Sequence, residues 1–217
     1  TDSSVKAWKA AALAAKLTVP TQTVCCYPDE AGFIAASVDL IKQGLAEAGN
    51  HPTRVLFSAH GLPEKIIKAG DPYQAQVERT AKAIADRIGN QMEPLDWSIC
   101  YQSRVGPLKW IGPSTDAEVR RAGQDGKAVV LYPLAFVSEH SETLVELDIT
   151  YRQLAGENGV PAYVRVPAVG THPRFIAGLA DRVRAVLAEP QVAVCHGATT
   201  MPCGHQHRGC PLMTGAA

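Results

Sequence analysis

Neither sign of charge is in surplus: 21 lysines and arginines face 21 aspartates and glutamates, a formal net charge of +0. No global field therefore points to nucleic acid, an anionic surface or an acidic tail. The sequence also lacks any run of about 18 or more apolar residues, which excludes a spanning helix of ordinary length. It has no basic-then-apolar opening with a small-residue cleavage site, so secretion is not expected. No internal repeat or low-complexity stretch is visible. These absences lead us to expect a cytoplasmic chain, at most peripheral to a membrane, without a nucleic-acid partner. Any charged ligand must be met locally.

What is present suits a packed domain: 217 residues, 46% of them hydrophobic, are enough to bury a sizeable core. The first residue is Thr1, and a helical pattern starts almost at once with Trp8, Ala11, Leu13 and Leu17, which suggests a cleaved or truncated chain. Short β-branched or apolar runs predict strands over Thr21 to Cys26, Arg54 to Ser58, Trp97 to Gln102, Ala128 to Pro133 and Tyr163 to Pro167. Helical periodicity predicts helices over Glu30 to Ala48, Tyr73 to Ile88, Thr115 to Ala122, Glu139 to Leu154 and Pro173 to Leu187. This alternation argues for an α/β fold, a parallel sheet flanked by helices, over residues 1–190. Residues 191–217 read as a separate, irregular extension.

Ligands collect at the carboxyl ends of parallel strands, so residues that follow strands carry the most functional information. His60 follows an apolar strand and precedes Gly61 and Pro63, which turn the chain and aim its imidazole at a cleft. There it could accept protons or bind a metal; alone, it reads more readily as a loop histidine bonded to backbone. After another strand, Ser138 is a plausible N-cap, and Glu139, Glu142 and Glu146 recur at i, i+3 and i+7. That spacing makes one acidic stripe opposite an apolar stripe of Leu144, Leu147 and Tyr151. The stripe is either a solvated helix face or a row of exchangeable oxygen ligands for a first-row divalent metal.

The extension reads Cys195-x7-Cys203-x6-Cys210 with His196, His205 and His207 interleaved. Three thiols and these imidazoles suit an iron–sulfur cluster or a zinc site, and free thiols stay open because the spacing is no C-x-x-C knuckle. Cys25, Cys26 and Cys100 fall within predicted strands, where a small buried hydrophobe is the expected role.

Four ordered strings carry a resemblance. They are Phe57-Ser58-Ala59-His60-Gly61-Leu62-Pro63, Gly70-Asp71-Pro72-Tyr73, Tyr101-Gln102-Ser103-Arg104-Val105-Gly106-Pro107 with Trp110, and Pro133 through Asp148 with Tyr151. Together they resemble the ferrochelatases. The resemblance implies a chelatase-like, Rossmann-type domain and a missing N-terminal domain that would close a porphyrin cleft. It implies insertion of Fe(II), as substrate, into a dicarboxylate porphyrin, either protoporphyrin IX or coproporphyrin III. His60 matches the family's active-site histidine and Glu142 its facing carboxylate, either of which could touch the iron. His140, Glu139 and Glu146 match an acidic path for metal or protons, while Trp110, Phe136 and Ser103 would contact the porphyrin. Cys195, Cys203 and Cys210 resemble three ligands of a [2Fe-2S] cluster, with a histidine, Cys25 or Cys26 as the fourth. A homodimer and a peripheral membrane contact are further partners the resemblance allows. The alternatives are a non-catalytic metal- or porphyrin-binding fragment and a chelatase for cobalt or nickel.

Overall fold

In the computed structural model, residues 2–91, 94–188 and 193–195 are described. Four strands, β2 (Thr53–His60), β3 (Trp97–Gln102), β4 (Ala128–Pro133) and β5 (Tyr163–Arg165), form one sheet in the order β3-β2-β4-β5, parallel throughout. Both faces are covered, which is why β4 is apolar along its whole length and buried at every position. Strand periodicity of two divides β2 between two cores. Val55, Phe57 and Ala59 pack with Val38, Ile41, Ala81, Ile84 and Ile88 of α2 (Ala31–Glu47) and α4 (Tyr73–Gly89). Leu56 packs on the other side with Cys100, Val119, Leu131, Leu147 and Tyr151.

The second core is covered by α5 (Thr115–Gln124) and by a two-part helix, a π-helix over Glu142–Thr150 that runs into α6 (Tyr151–Glu157). The regular helix expected over Glu139 to Leu154 therefore has a wide-turned first half. Helix α7 (Pro173–Ala188) lies against α2, with the Phe33 and Phe175 ring centroids 5.6 Å apart. A five-residue helix, α3 (Glu64–Lys68), follows Pro63, and α1 (Asp2–Ala14) matches the early helical pattern. Glu30 is buried as the N-cap of α2, accepting from the Gly32 and Phe33 amides at 2.9 and 2.6 Å.

Strand β1 (Thr23–Cys26) does not join the sheet; it pairs in parallel with β6 (Ala193–Cys195), placing Cys26 opposite Cys195. The extension expected to be irregular thus begins with a strand. Cys203 and Cys210 lie outside the described residues. Cys100 is fully buried, as its strand position implies, and Cys26 is half-buried. No helix among the described residues is long and apolar enough to cross a membrane.

The strand order places a crevice. The chain leaves β2 toward β3 on one side, whereas β4 leads to β5 on the other. The connections diverge between β2 and β4, the position at which an open parallel sheet admits a ligand. His60 ends β2, and the segment leading to Glu142 leaves β4.

Candidate functional site

Strand β2 runs two residues beyond the predicted end, so His60 is its last residue, paired with Gln102 at the end of β3. The Gly61 amide continues that pairing, donating to the Gln102 carbonyl at 2.9 Å. A side chain at Gly61 has no room: its Cβ would stand 2.9 Å from that oxygen and 3.2 Å from Cε3 of Trp110. Glycine is thus required for the chain to leave β2 under the indole. Trp110 packs at this exit, and its buried Nε1 has no hydrogen-bond partner among the described residues.

Two bonds fix the histidine. Tyr73 donates its hydroxyl to the His60 carbonyl at 3.0 Å, and burial pushes that phenol up to about 12, so it stays a donor. Nδ1 lies 2.7 Å from the Gly61 carbonyl, a contact in which the ring nitrogen must carry the proton. In the neutral ring the other nitrogen, Nε2, is then the one with a free lone pair. It faces Glu142 Oε2 at 3.6 Å, with the two side chains 40% and 37% exposed. That separation is too long for a hydrogen bond, yet a first-row cation about 2.1 Å from each atom would place them roughly 3.4–3.6 Å apart. The pair leaves a gap that a proton or a small cation can occupy.

Glu142 opens the π-helix. Ser138, the expected cap, stands outside it; the imidazole of His140 takes that role, its Nδ1 accepting from the Glu142 amide at 3.3 Å. Phe136 stacks on His140 with centroids 5.8 Å apart and planes 25° from parallel. His140 and Phe136 therefore brace the helix start beside the crevice.

The other two carboxylates of the stripe are placed differently. Glu146 receives the Ser103 amide at 2.9 Å, the Ser103 hydroxyl at 2.5 Å, the Tyr151 hydroxyl at 2.9 Å and Gln102 Nε2 at 3.4 Å. Ser103 holds a left-handed backbone, φ +58°, which few non-glycine residues adopt. Its hydroxyl also lies 3.5 Å from Glu142. Glu139 is engaged by other residues. It accepts from Arg165 at 2.7 Å and the Ala168 amide at 2.9 Å through one oxygen, and from Thr143 at 2.6 Å through the other. Burial works against its charge, but these three donors outweigh it and hold its pKa below the ordinary carboxylate value.

The structure thus brings His60, Glu142, Ser103 and Glu146 together, sets His140, Phe136 and Trp110 around them, and turns Glu139 toward β5. Sequence reasoning gave no role to Tyr73 and only a place in the apolar stripe to Tyr151, although Tyr73 sits in one of the quoted strings and Tyr151 closes another. Arg165 carried no signal.

A family model described as ferrochelatase matches residues 1–187. The chain is 52% identical over 219 residues to the ferrochelatase of Caulobacter vibrioides (strain NA1000 / CB15N), a match covering 100% of this chain and 61% of that protein. It is 50% identical over 211 residues to the ferrochelatase of Phenylobacterium zucineum (strain HLK1), covering 97% of this chain and 60% of the relative. Among solved structures, SirB from Bacillus subtilis with Fe3+ is 19% identical, with a TM-score of 0.46 over 73% of this chain and 57% of its own. The chain spans about three fifths of the length of these curated relatives, 61% and 60%.

Proposed function

The chain belongs to the ferrochelatase family, and on that premise we propose that it forms one wall of an enzyme that inserts Fe(II) into a dicarboxylate porphyrin. The observation that carries the reading is the open His60–Glu142 pair at the switch point of the sheet. Insertion must remove two pyrrole protons and transfer a cation from oxygen or nitrogen ligands to the macrocycle. His60, whose Nδ1 is engaged by the Gly61 carbonyl, presents Nε2 to the gap, and in the neutral ring that nitrogen is suited to accept a proton or hold the cation. Glu142 is suited to stabilise either charge across the gap. Trp110 and Phe136 offer aromatic faces for the macrocycle.

A two-stranded sheet is marginal by itself. The β1–β6 pair accordingly supports a second sheet, completed by the part of the relatives this chain does not span and forming the opposite wall. The test is to incubate the chain anaerobically with Fe(II) and a dicarboxylate porphyrin, alone and with the separately expressed N-terminal part of the Caulobacter relative, and to follow metalloporphyrin absorbance. We expect product only when both parts are present. No product in either mixture, with both parts folded, would refute the reading.

The same pair bears on the extension. Thiolates at Cys195, Cys203 and Cys210 have the donor chemistry of a [2Fe-2S] cluster, and the backbone pairing of Cys195 with Cys26 supports Cys26 as the fourth ligand. A bound cluster would supply iron–thiolate cross-links between β1 and the extension. In anaerobically purified chain, Cys26→Ser should abolish the visible charge-transfer bands and the associated iron and sulfide. Full retention of both would remove Cys26 from the ligand set.

A further inference from the structure

The three glutamates of the stripe do not have the same coordination capacity left. A carboxylate offers about four lone-pair positions, and Glu146 meets four donors, from Ser103 twice, Tyr151 and Gln102. Those donors sit at the end of β3, in the turn beyond it and at the start of α6, so Glu146 fastens the π-helix to the strand that neighbours His60. Glu139 does the same at the amino end, joining Thr143 of the π-helix to Arg165 of β5 and to the Ala168 amide. Of the three, only Glu142, whose carboxylate lies 3.5 Å from Ser103 Oγ and 3.6 Å from His60 Nε2, is left open. π-Turns are rare and occur mostly as single-turn bulges, so a nine-residue one needs restraint from outside itself.

We propose that Glu146 and Glu139 are positioning residues that clasp the π-helix at its middle and at its amino end, and that Glu142 is the one member of the stripe that handles the cation or proton. Glu146 also holds Ser103 in its left-handed conformation, which brings the serine hydroxyl toward Glu142. The kinetic part rests on the reading of the chain as a chelatase; the clasp itself does not.

Two variants separate a clasp from a metal station. In Glu146→Gln the amide oxygen still accepts the Ser103 amide and the Tyr151 hydroxyl, while the amide nitrogen can donate to the reversible Ser103 hydroxyl and gives up only the long 3.4 Å contact from Gln102. In Glu146→Ala every one of these bonds is lost. Backbone hydrogen exchange over 142–150 in the 217-residue chain should stay within about threefold of wild type in Glu146→Gln and quicken at least about tenfold in Glu146→Ala. In the two-part assay, Glu146→Gln should keep its iron KM within about threefold, whereas Glu146→Ala should lose at least about tenfold in kcat with iron KM little changed. Unchanged protection in Glu146→Ala would overturn the clasp. An iron KM raised about tenfold or more in Glu146→Gln, with protection intact, would make Glu146 a metal station instead. If wild-type parts form no metalloporphyrin, the exchange measurement still decides the clasp, and the failure falls on the chelatase reading alone.

Discussion

Replacing His60 with alanine is expected to lower the initial rate of metalloporphyrin formation in the two-part assay by at least about 100-fold, the low end of what a positioned proton acceptor contributes. The imidazole is 40% exposed, so its removal opens no core cavity. The folded chain forfeits the bond to the Gly61 carbonyl, worth about 1 kcal/mol. Melting should therefore move little while turnover collapses. Glu142→Gln, which keeps shape and removes charge, should produce a comparable loss, because an amide stabilises neither an imidazolium nor a cation across the 3.6 Å gap. Wild-type turnover in both variants, with melting curves to show they are folded, would sink the assignment of the pair.

The elements that place this pair were readable because burial wrote them into the sequence. A parallel strand covered on both faces must be apolar, and β2 and β4 are; a helix over such a sheet must be apolar on one side, and α2 and α4 are. His60 was readable as the polar residue that ends an apolar run. The inequality of Glu139, Glu142 and Glu146 was not, since spacing along a helix fixes where side chains start and not which distant donors reach them. Arg165 and Ala168, which engage Glu139, come from the end of β5 and just beyond it, and Ser103 comes from the turn after β3. The π-turns were equally hidden, because residues four apart share a face in either helix over a short span. The cap went to His140 and not Ser138 for a related reason: which residue caps depends on where the wide turn begins. Helix α3 is too short, at five residues, to show a period. Strand β6 exists through its pairing with β1, 170 positions away at Thr23 and Ala193, and no local pattern announces that.

The opposite end of β2 should govern stability and leave the chemistry alone. Arg54 is six residues before His60, about 20 Å along a strand, and its side chain is only 6% exposed. It donates to Asp96 at 3.0 and 3.2 Å and to Asp125 at 2.8 Å, while Lys127 also pairs with Asp96. Burial pushes the Asp96 carboxyl up, but Arg54 and Lys127 together hold it below its ordinary value. Breaking a fully buried ion pair costs about 3–5 kcal/mol; Asp96 and Asp125 are 34% and 41% exposed and regain water. Arg54→Met, which keeps the apolar stem, should therefore cost about 2 kcal/mol, or roughly 4–8 °C in Tm for a chain of this size. A carboxyl whose folded pKa is depressed contributes its stability above its unfolded pKa and loses it as pH falls through the folded one. The gap between wild type and Arg54→Met should thus be widest near neutrality and close below about pH 3.9, as thermal melts across that range would show. Turnover measured well below both midpoints should match wild type. A loss of turnover there would mean that the charge cluster at the amino ends of the strands sets the geometry at their carboxyl ends, and the division of this sheet into a structural and a chemical edge would have to be abandoned.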